Sequence, residues 1–285
     1  MIKLKTIIPK IKNKVRRVFI RQYYIINLIN FISKPKKINI GSGKMSWIGW
    51  LCLDELIHPT VFNIKFTSSC VFPIKSNSIS LAYTSHCLEH LNDNVVNRLL
   101  EEVKKCLLPG GYFVVKIPDF DYFKKEYILG NSNAMNNKGC ESVIWSWKNL
   151  DVEDNFENRT AMMFSGYWNK NYGDHFSGNI SYSDLGAYHG PPLIEKSKLI
   201  EILRDLEIRD ISKTLNNIIL KDINLGSFNH CNAWSKHDLE KLLIHHGFGI
   251  KKMDKQAILK NFNNQIPDLK SMYEWSMVVI AFKPQ

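Results

Sequence analysis

An alternation of short apolar segments with helical patterns begins at residue 37, and it constrains the fold of this chain more than any other feature. Segments with the length and composition of strands lie at 37–41, 50–54, 61–66, 78–84 and 112–117. Between the last two, apolar residues recur at helical spacing from Val95 to Leu107, and Pro109-Gly110-Gly111 ends that helix. Strands that alternate with helices form a parallel sheet, so the sequence predicts an α/β fold.

The C-terminal part of the chain continues this pattern. Ser235 with Asp238 three residues later is typical of a helix start, and Gly247 is typical of the end of that helix. Two further strands are predicted near 249–255 and 277–283. The intervening residues 120–226 are too many for one loop, so we expect a partly helical insertion or lid there.

The basic charge of the chain is concentrated at its N-terminus. The net charge is +11, and residues 1–37 hold eleven basic side chains and no carboxylate, which leaves 27 basic residues to balance 27 acidic ones. The apolar run 18–32 is shorter than the roughly 20 residues needed to span a bilayer. Arg16 and Arg17 lie where a signal peptide needs apolar residues, so we expect the segment to be retained. A basic amphipathic helix at a membrane surface and a helix packed on the domain both remain open.

The cysteine spacing bears on compartment and metal binding. The six cysteines, at 52, 70, 87, 106, 140 and 231, form no close pair. This spacing argues against a paired-cysteine zinc site and against a secreted disulfide scaffold. We therefore expect a cytoplasmic protein. Asp174, His175 and His189 do not have the spacing of a known metal site, so the sequence predicts no metal.

A glycine-rich turn after the first predicted strand indicates a cofactor. Gly41 and Gly43 let the backbone approach a ligand closely, and Asp54, at the end of the second strand, can accept hydrogen bonds from ribose. A dinucleotide fingerprint would need a third glycine, where this chain has Ser46, and a longer crossover helix. Without that helix a pyrophosphate lacks its usual partner. The turn therefore favours a cofactor with one ribose, an adenine and a small zwitterionic tail.

Five segments occur in the order found in one known family: INIGSGK, GWLCLD, YTSHCLEHL, LLEEVKKCLLPGGYFVVKIPD and NAWSKHDLEKLLIHHGF. Together they resemble the class I S-adenosyl-L-methionine (SAM)-dependent methyltransferases, in particular the type 11-like bacterial branch. The resemblance implies a Rossmann-like, mostly parallel seven-stranded sheet with a reversed terminal strand. It also implies cofactor contacts from Gly41, Ser42, Gly43, Asp54, Ser85 and His86. The chain departs from the family at Thr67 and Ser80, where acids are common.

The same segments suggest a division of the chain into four parts. Residues 1–36 would form a basic amphipathic N-terminal arm, and 37–119 the SAM-binding half of the methyltransferase domain. Residues 120–226 would be the substrate or lid insertion. Residues 227–285 would complete the domain with a helix and a pair of strands.

Histidines are the candidates for acid–base chemistry. Methyl transfer mainly requires alignment of two reactants, but an oxygen acceptor also needs a base. His86, His90 and His189 are the candidate bases, although each alone is more typical of a structural histidine. Aromatic residues in the insertion could stack on a sugar. We therefore expect O-methylation of a bacterial glycan or another small hydroxylated acceptor. Alternatives are a non-catalytic member of the fold and an RNA methyltransferase, the latter disfavoured by the neutral body of the chain.

Overall fold

A computed structural model describes residues 36–43, 45–56, 58, 61–132, 156–165, 195–219, 230–271 and 275–285. Most of the predicted N-terminal arm and much of the predicted insertion, including His175 and His189, lie outside the described residues. Among the helices that the structure describes, none combines the length and the apolar character needed to cross a bilayer.

Seven strands form one sheet. They are β1 (Lys36–Ile40), β2 (Trp50–Asp54), β3 (Phe62–Asn63), β4 (Ile79–Ser85), β5 (Leu107–Pro118), β6 (Gly249–Ile250) and β7 (Ser276–Phe282). Their order across the sheet is β3-β2-β1-β4-β5-β7-β6. All pairings from β3 to β5 are parallel, whereas β7 runs antiparallel to both β5 and β6. The predicted seven-stranded sheet with a reversed terminal strand is therefore confirmed.

Seven α-helices lie in the described part of the chain. They are α1 (Asp93–Cys106), α2 (Phe120–Ile128), α3 (Phe156–Ser165), α4 (Lys196–Asp205), α5 (Ile208–Ile219), α6 (Lys236–His245) and α7 (Lys255–Phe262). The predicted boundaries of α6 are confirmed: Ser235 Oγ accepts the amide of Asp238 at 3.1 Å, and Gly247 follows the helix with φ of +76°. Such an N-cap contributes about 1 kcal/mol to stability.

Three strands differ in length from the prediction, and their backbone hydrogen bonds explain why. β3 is short because the amide of Phe66 bonds to the Glu55 side chain at 2.8 Å instead of a neighbouring strand. β6 is short because the chain soon turns into α7, whose start is capped by Asp254: its Oδ1 accepts the amide of Ala257 at 2.7 Å. β5 begins earlier than predicted because Leu107 pairs with Ile79 of β4, and Gly110 donates to Lys283 at 2.8 Å just beyond β7.

Helices cover both faces of the sheet. On one face, α1 and α6 bury Leu99 and Leu243 against the sheet, and on the other α7 buries Phe262 beside Tyr83. Each such side chain contributes about 1.5–3 kcal/mol when fully buried. A separate apolar cluster joins helices α2 to α5 with Trp275. Because α2 directly follows β5, these helices adjoin the carboxyl edge of the parallel strands, where ligands bind in open α/β folds.

Candidate active site

The turn after β1 lies at the carboxyl edge of the sheet. The amides of Gly41 and Ser42 both donate to the carbonyl of Leu53, at 2.9 and 3.2 Å, so the turn folds over the end of β2. A Cβ atom on Gly41 would lie 2.3 Å from Cys87 Sγ, whereas one on Gly43 would have no neighbour within 4 Å. Gly41 is thus required for packing against the turn after β4, and Gly43 borders open space.

Asp54 fixes the geometry of this turn. Its two carboxylate oxygens accept the amides of Gly43 at 2.7 Å and Leu56 at 2.8 Å. Each oxygen keeps a second lone pair, because a carboxylate offers about four acceptor sites. The open side of Gly43 and the remaining acceptor capacity of Asp54 fit a ribose-bearing cofactor. The predicted contacts of Gly41, Ser42, Gly43 and Asp54 with the cofactor remain predictions.

Ser85, at the end of β4, belongs to a polar network that the sequence did not indicate. Its hydroxyl donates to Asp268 at 3.0 Å, as do Tyr83 Oη at 2.6 Å and Lys116 Nζ at 3.1 Å. Burial alone would raise the pKa of Asp268, but the charge of Lys116 and these donors hold it below its usual value. Asp268 lies in a 3-10 helix at Pro267–Ser271, a segment without a motif.

His86 turns the chain sharply after β4. Its φ of +48° is uncommon for a residue with a side chain, and such strain is concentrated at functional sites. The ring lies between two polar groups, with Nε2 3.2 Å from Ser276 Oγ and Nδ1 3.3 Å from Glu89 Oε1. It also packs on Trp275, with ring centroids 5.2 Å apart. The turn places Cys87 against Gly41 and Glu89 beneath the surface.

Glu89 is fully buried in the 3-10 helix Leu88–His90. Among the described residues, no group donates a hydrogen bond to either of its carboxylate oxygens. Burial raises the pKa of Glu89, but the contact with His86 and the nearby His90 outweigh that effect, so its pKa is lowered. The site therefore contains a buried, charged carboxylate.

His230 reaches this carboxylate from the far side of the insertion. Its Nδ1 lies 2.9 Å from the carbonyl of Met163, and its backbone amide donates to Ser165 at 2.9 Å, so the end of α3 holds it in place. Its ring packs edge-on against His90, with centroids 4.8 Å apart. Burial, together with the neighbouring His90, lowers the pKa of His230 to about 3. This imidazole is neutral at physiological pH.

The structure thus brings together some of the predicted histidines and adds another. His86 and His90 lie beside Glu89, whereas His189 lies outside the described residues. His230 follows the predicted insertion in the sequence, and only the tertiary structure places it within reach of β4. Asn232 secures this approach, because its amide donates to Glu89 O at 3.0 Å and its side chain to Leu91 O at 2.7 Å.

The two departures from the family pattern lie at opposite ends of the sheet. Thr67 is exposed after β3, with its hydroxyl 3.3 Å from that of Ser69. Ser80 lies near the start of β4, where it lines a cavity of about 380 Å³ with residues 109–112. Ser80 is therefore remote from Gly43, and the loss of an acid there does not alter the carboxyl edge.

Comparison with known proteins identifies the class. Residues 57–115, about a fifth of the chain, match a family model described as a methyltransferase domain, of type 11. No curated protein matches this sequence. The family match confirms the predicted class: residues 57–115 carry a methyltransferase domain, which fits SAM as the predicted cofactor.

Solved structures of methyltransferases align along most of the chain at low identity. A SAM-dependent methyltransferase from Mesorhizobium loti is 14% identical, with 88% of this chain and 92% of that chain covered and a TM-score of 0.37. One from Archaeoglobus fulgidus is 12% identical over 94% of both chains, with a TM-score of 0.36. Phosphoethanolamine N-methyltransferase 2 from Haemonchus contortus, solved with SAM, is 11% identical and has a TM-score of 0.34. The alignment covers 93% of this chain and 53% of that chain. At these values the family match, and not the neighbours, carries the assignment.

Proposed function

We propose that this methyltransferase transfers the methyl group of SAM to an oxygen atom of a small hydroxylated acceptor. The observation that supports this reaction type is the group of imidazoles around the buried carboxylate of Glu89, directly after β4. An acceptor hydroxyl is a poor nucleophile while it keeps its proton, so a positioned base accelerates its reaction. A carboxylate beside an imidazole orients such a base and stabilises the imidazolium that forms.

The bound cofactor supplies a methyl group that is already activated on a sulfonium. In our proposal Gly43 and Asp54 hold the cofactor at the carboxyl edge of the sheet. The acceptor oxygen forms a bond to the methyl carbon while the carbon–sulfur bond breaks, and the electron pair of that bond stays on sulfur. The hydroxyl proton passes to His86 or His90. His230 is too weakly basic for this role because its pKa is about 3.

An acceptor screen followed by two substitutions tests the reaction type. Methyl-labelled SAM is incubated with glycans, sugar nucleotides and RNA, and products are identified by the mass of one added methylene. With the acceptor found, His86→Gln and His90→Gln are each compared with His237→Gln, which changes an exposed histidine of α6. We expect at least one of the first two to lower kcat by about 10²–10⁴ with unchanged SAM affinity. Unchanged kcat in both would contradict a role for this cluster, and methylation of RNA alone would replace the proposed acceptor.

We further propose a bacterial glycan or glycan precursor as the acceptor. The support is in the sequence of the insertion, where aromatic residues between Trp145 and Tyr188 are interspersed with polar ones. Binding sites for small ligands are commonly lined by aromatic side chains, with a few polar groups that orient the ligand. A screen in which glycans and sugar nucleotides gain no methyl group, while another hydroxylated compound does, would overturn this choice.

The N-terminal arm supports a location at the cytoplasmic face of a membrane. Its basic residues would each gain about 1 kcal/mol near anionic lipid, and its apolar residues add burial. Deletion of residues 1–32 should abolish co-sedimentation with anionic vesicles and leave SAM affinity intact. If the segment instead packs on the domain, its deletion will lower thermal stability, and the full chain will not bind vesicles even at low salt.

A further inference from the structure

Glu89, His90 and His230 form a cluster of three groups that are each able to ligate a metal ion. One potential ligand atom from each side chain lies within 4.8 Å of the other two. Glu89 and His230 are buried, and His90 is half-buried. The cluster lies at the carboxyl end of β4, beside the turn that contains Gly41. The sequence predicted no metal, because Glu89 and His90 are about 140 residues from His230 and no metal-site spacing joins them.

The carboxylate of Glu89 has unmet bonding capacity. It is fully buried, and no described group donates a hydrogen bond to it. Its Oε1 lies 3.3 Å from His86 Nδ1. Buried polar groups are nearly always hydrogen-bonded, and a buried charge is paired or ligates a metal. A cation in the cluster would supply the missing partner for Oε2.

The surroundings of His230 prepare its other nitrogen for coordination. Nδ1 donates to the carbonyl of Met163 at 2.9 Å, which fixes the tautomer with the lone pair on Nε2. Histidines that ligate metals almost always donate their second ring N–H to a carbonyl or carboxylate in this way. A ligand imidazole must offer an unprotonated nitrogen, and this tautomer leaves Nε2 unprotonated.

We propose that Glu89, His90 and His230 bind one divalent first-row transition metal ion. Two imidazoles and one carboxylate suit Zn²⁺, Fe²⁺, Co²⁺ or Mn²⁺ better than Mg²⁺ or Ca²⁺, which prefer oxygen ligands. Three protein ligands leave coordination positions open. In a role that rests on the proposed function, those positions hold the acceptor oxygen and lower the pKa of its hydroxyl. Because His90 is then a ligand, the hydroxyl proton passes to His86.

Cobalt binding tests the site without SAM or acceptor, so the result does not depend on the proposed reaction. The full chain is treated with a chelator and titrated with Co²⁺, and binding is followed by calorimetry and by the visible absorption of the bound ion. We expect one ion per chain. Glu89→Gln, which keeps the shape of the side chain, and His230→Gln should each weaken binding by at least about tenfold.

His245→Gln is the matched control, because it removes an exposed histidine from the adjacent pair His245 and His246 on the surface. This variant should bind Co²⁺ in the cluster as the unchanged chain does. Thermal unfolding with and without Zn²⁺ shows which variants fold. If Glu89→Gln or His230→Gln does not fold, His90→Gln replaces it in the Co²⁺ titration. Absence of a bound ion in the unchanged chain would overturn the proposal, as would equal Co²⁺ affinity in the unchanged chain and the folded cluster variants.

Discussion

The cofactor turn and the histidine cluster differ in how their polar groups are satisfied. In the turn from Gly41 to Asp54, both carboxylate oxygens of Asp54 accept backbone amides. The amides of Gly41 and Ser42 donate to a backbone carbonyl. In the cluster, the buried carboxylate of Glu89 accepts no hydrogen bond from the described residues. The first region is therefore stable as folded and presents an open surface. The second retains bonding capacity for a proton, a metal ion or a substrate, which suits it for chemistry.

The network around Asp268 gives the largest expected effect, because it supports the edge between the two regions. Asp268→Ala would remove the carboxylate that the buried ammonium of Lys116 shares with the hydroxyls of Tyr83 and Ser85. Loss of one member of a buried pair costs about 3–5 kcal/mol. Urea unfolding should show a decrease of that size. A decrease below 1 kcal/mol would mean that solvent replaces the carboxylate and that the edge is not rigid.

Two glycines of the cofactor turn should respond differently to a side chain. Gly41→Val would drive a side chain into Cys87 at a positive φ, so overpacking and strain should together cost about 2–5 kcal/mol of unfolding free energy. Gly43→Ala meets no atom and should cost only about 1–2 kcal/mol from its positive φ. Chemical denaturation compares the two. Equal losses would show that Gly41 and Cys87 do not pack as described.

The pH dependence of stability distinguishes the cluster from the rest of the molecule. The pKa of His230 is lower in the folded protein, about 3, than in the unfolded chain, near 6.5. Below pH 6.5 the unfolded state therefore takes up a proton that the folded state does not. The free energy of unfolding therefore decreases by about 1.4 kcal/mol per pH unit as the pH falls from 6.5 toward 4.5. His230→Gln should reduce that slope by this amount in urea unfolding with chelator present, and the exposed His237→Gln should not.

The fold and the cofactor turn could be predicted from sequence because their determinants are local. Gly41, Gly43 and Asp54 lie within one strand–turn–strand unit, and the helix start at Ser235 depends on a contact three residues away. His230 and Asp268 could not be assigned in this way. His230 meets Glu89 and His90 across about 140 residues because α3 holds it in place. Asp268 meets Tyr83, Ser85 and Lys116 across more than 150 residues, through the path of the chain between β6 and β7. The sequence also did not show that Gly41 packs closely against Cys87, a contact that leaves no room for a side chain at Gly41.

The central claim is that the turn from Gly41 to Asp54 binds the cofactor and the histidine cluster acts on the acceptor. Calorimetric titration of SAM into the unchanged chain, Asp54→Ala and His90→Gln tests this division most directly. We predict 1:1 binding by the unchanged chain and by His90→Gln. For Asp54→Ala we predict a loss of about 1.5–3 kcal/mol, the value of charge-assisted hydrogen bonds. Absence of SAM binding by the unchanged chain, or full affinity in Asp54→Ala with loss in His90→Gln, would contradict the account.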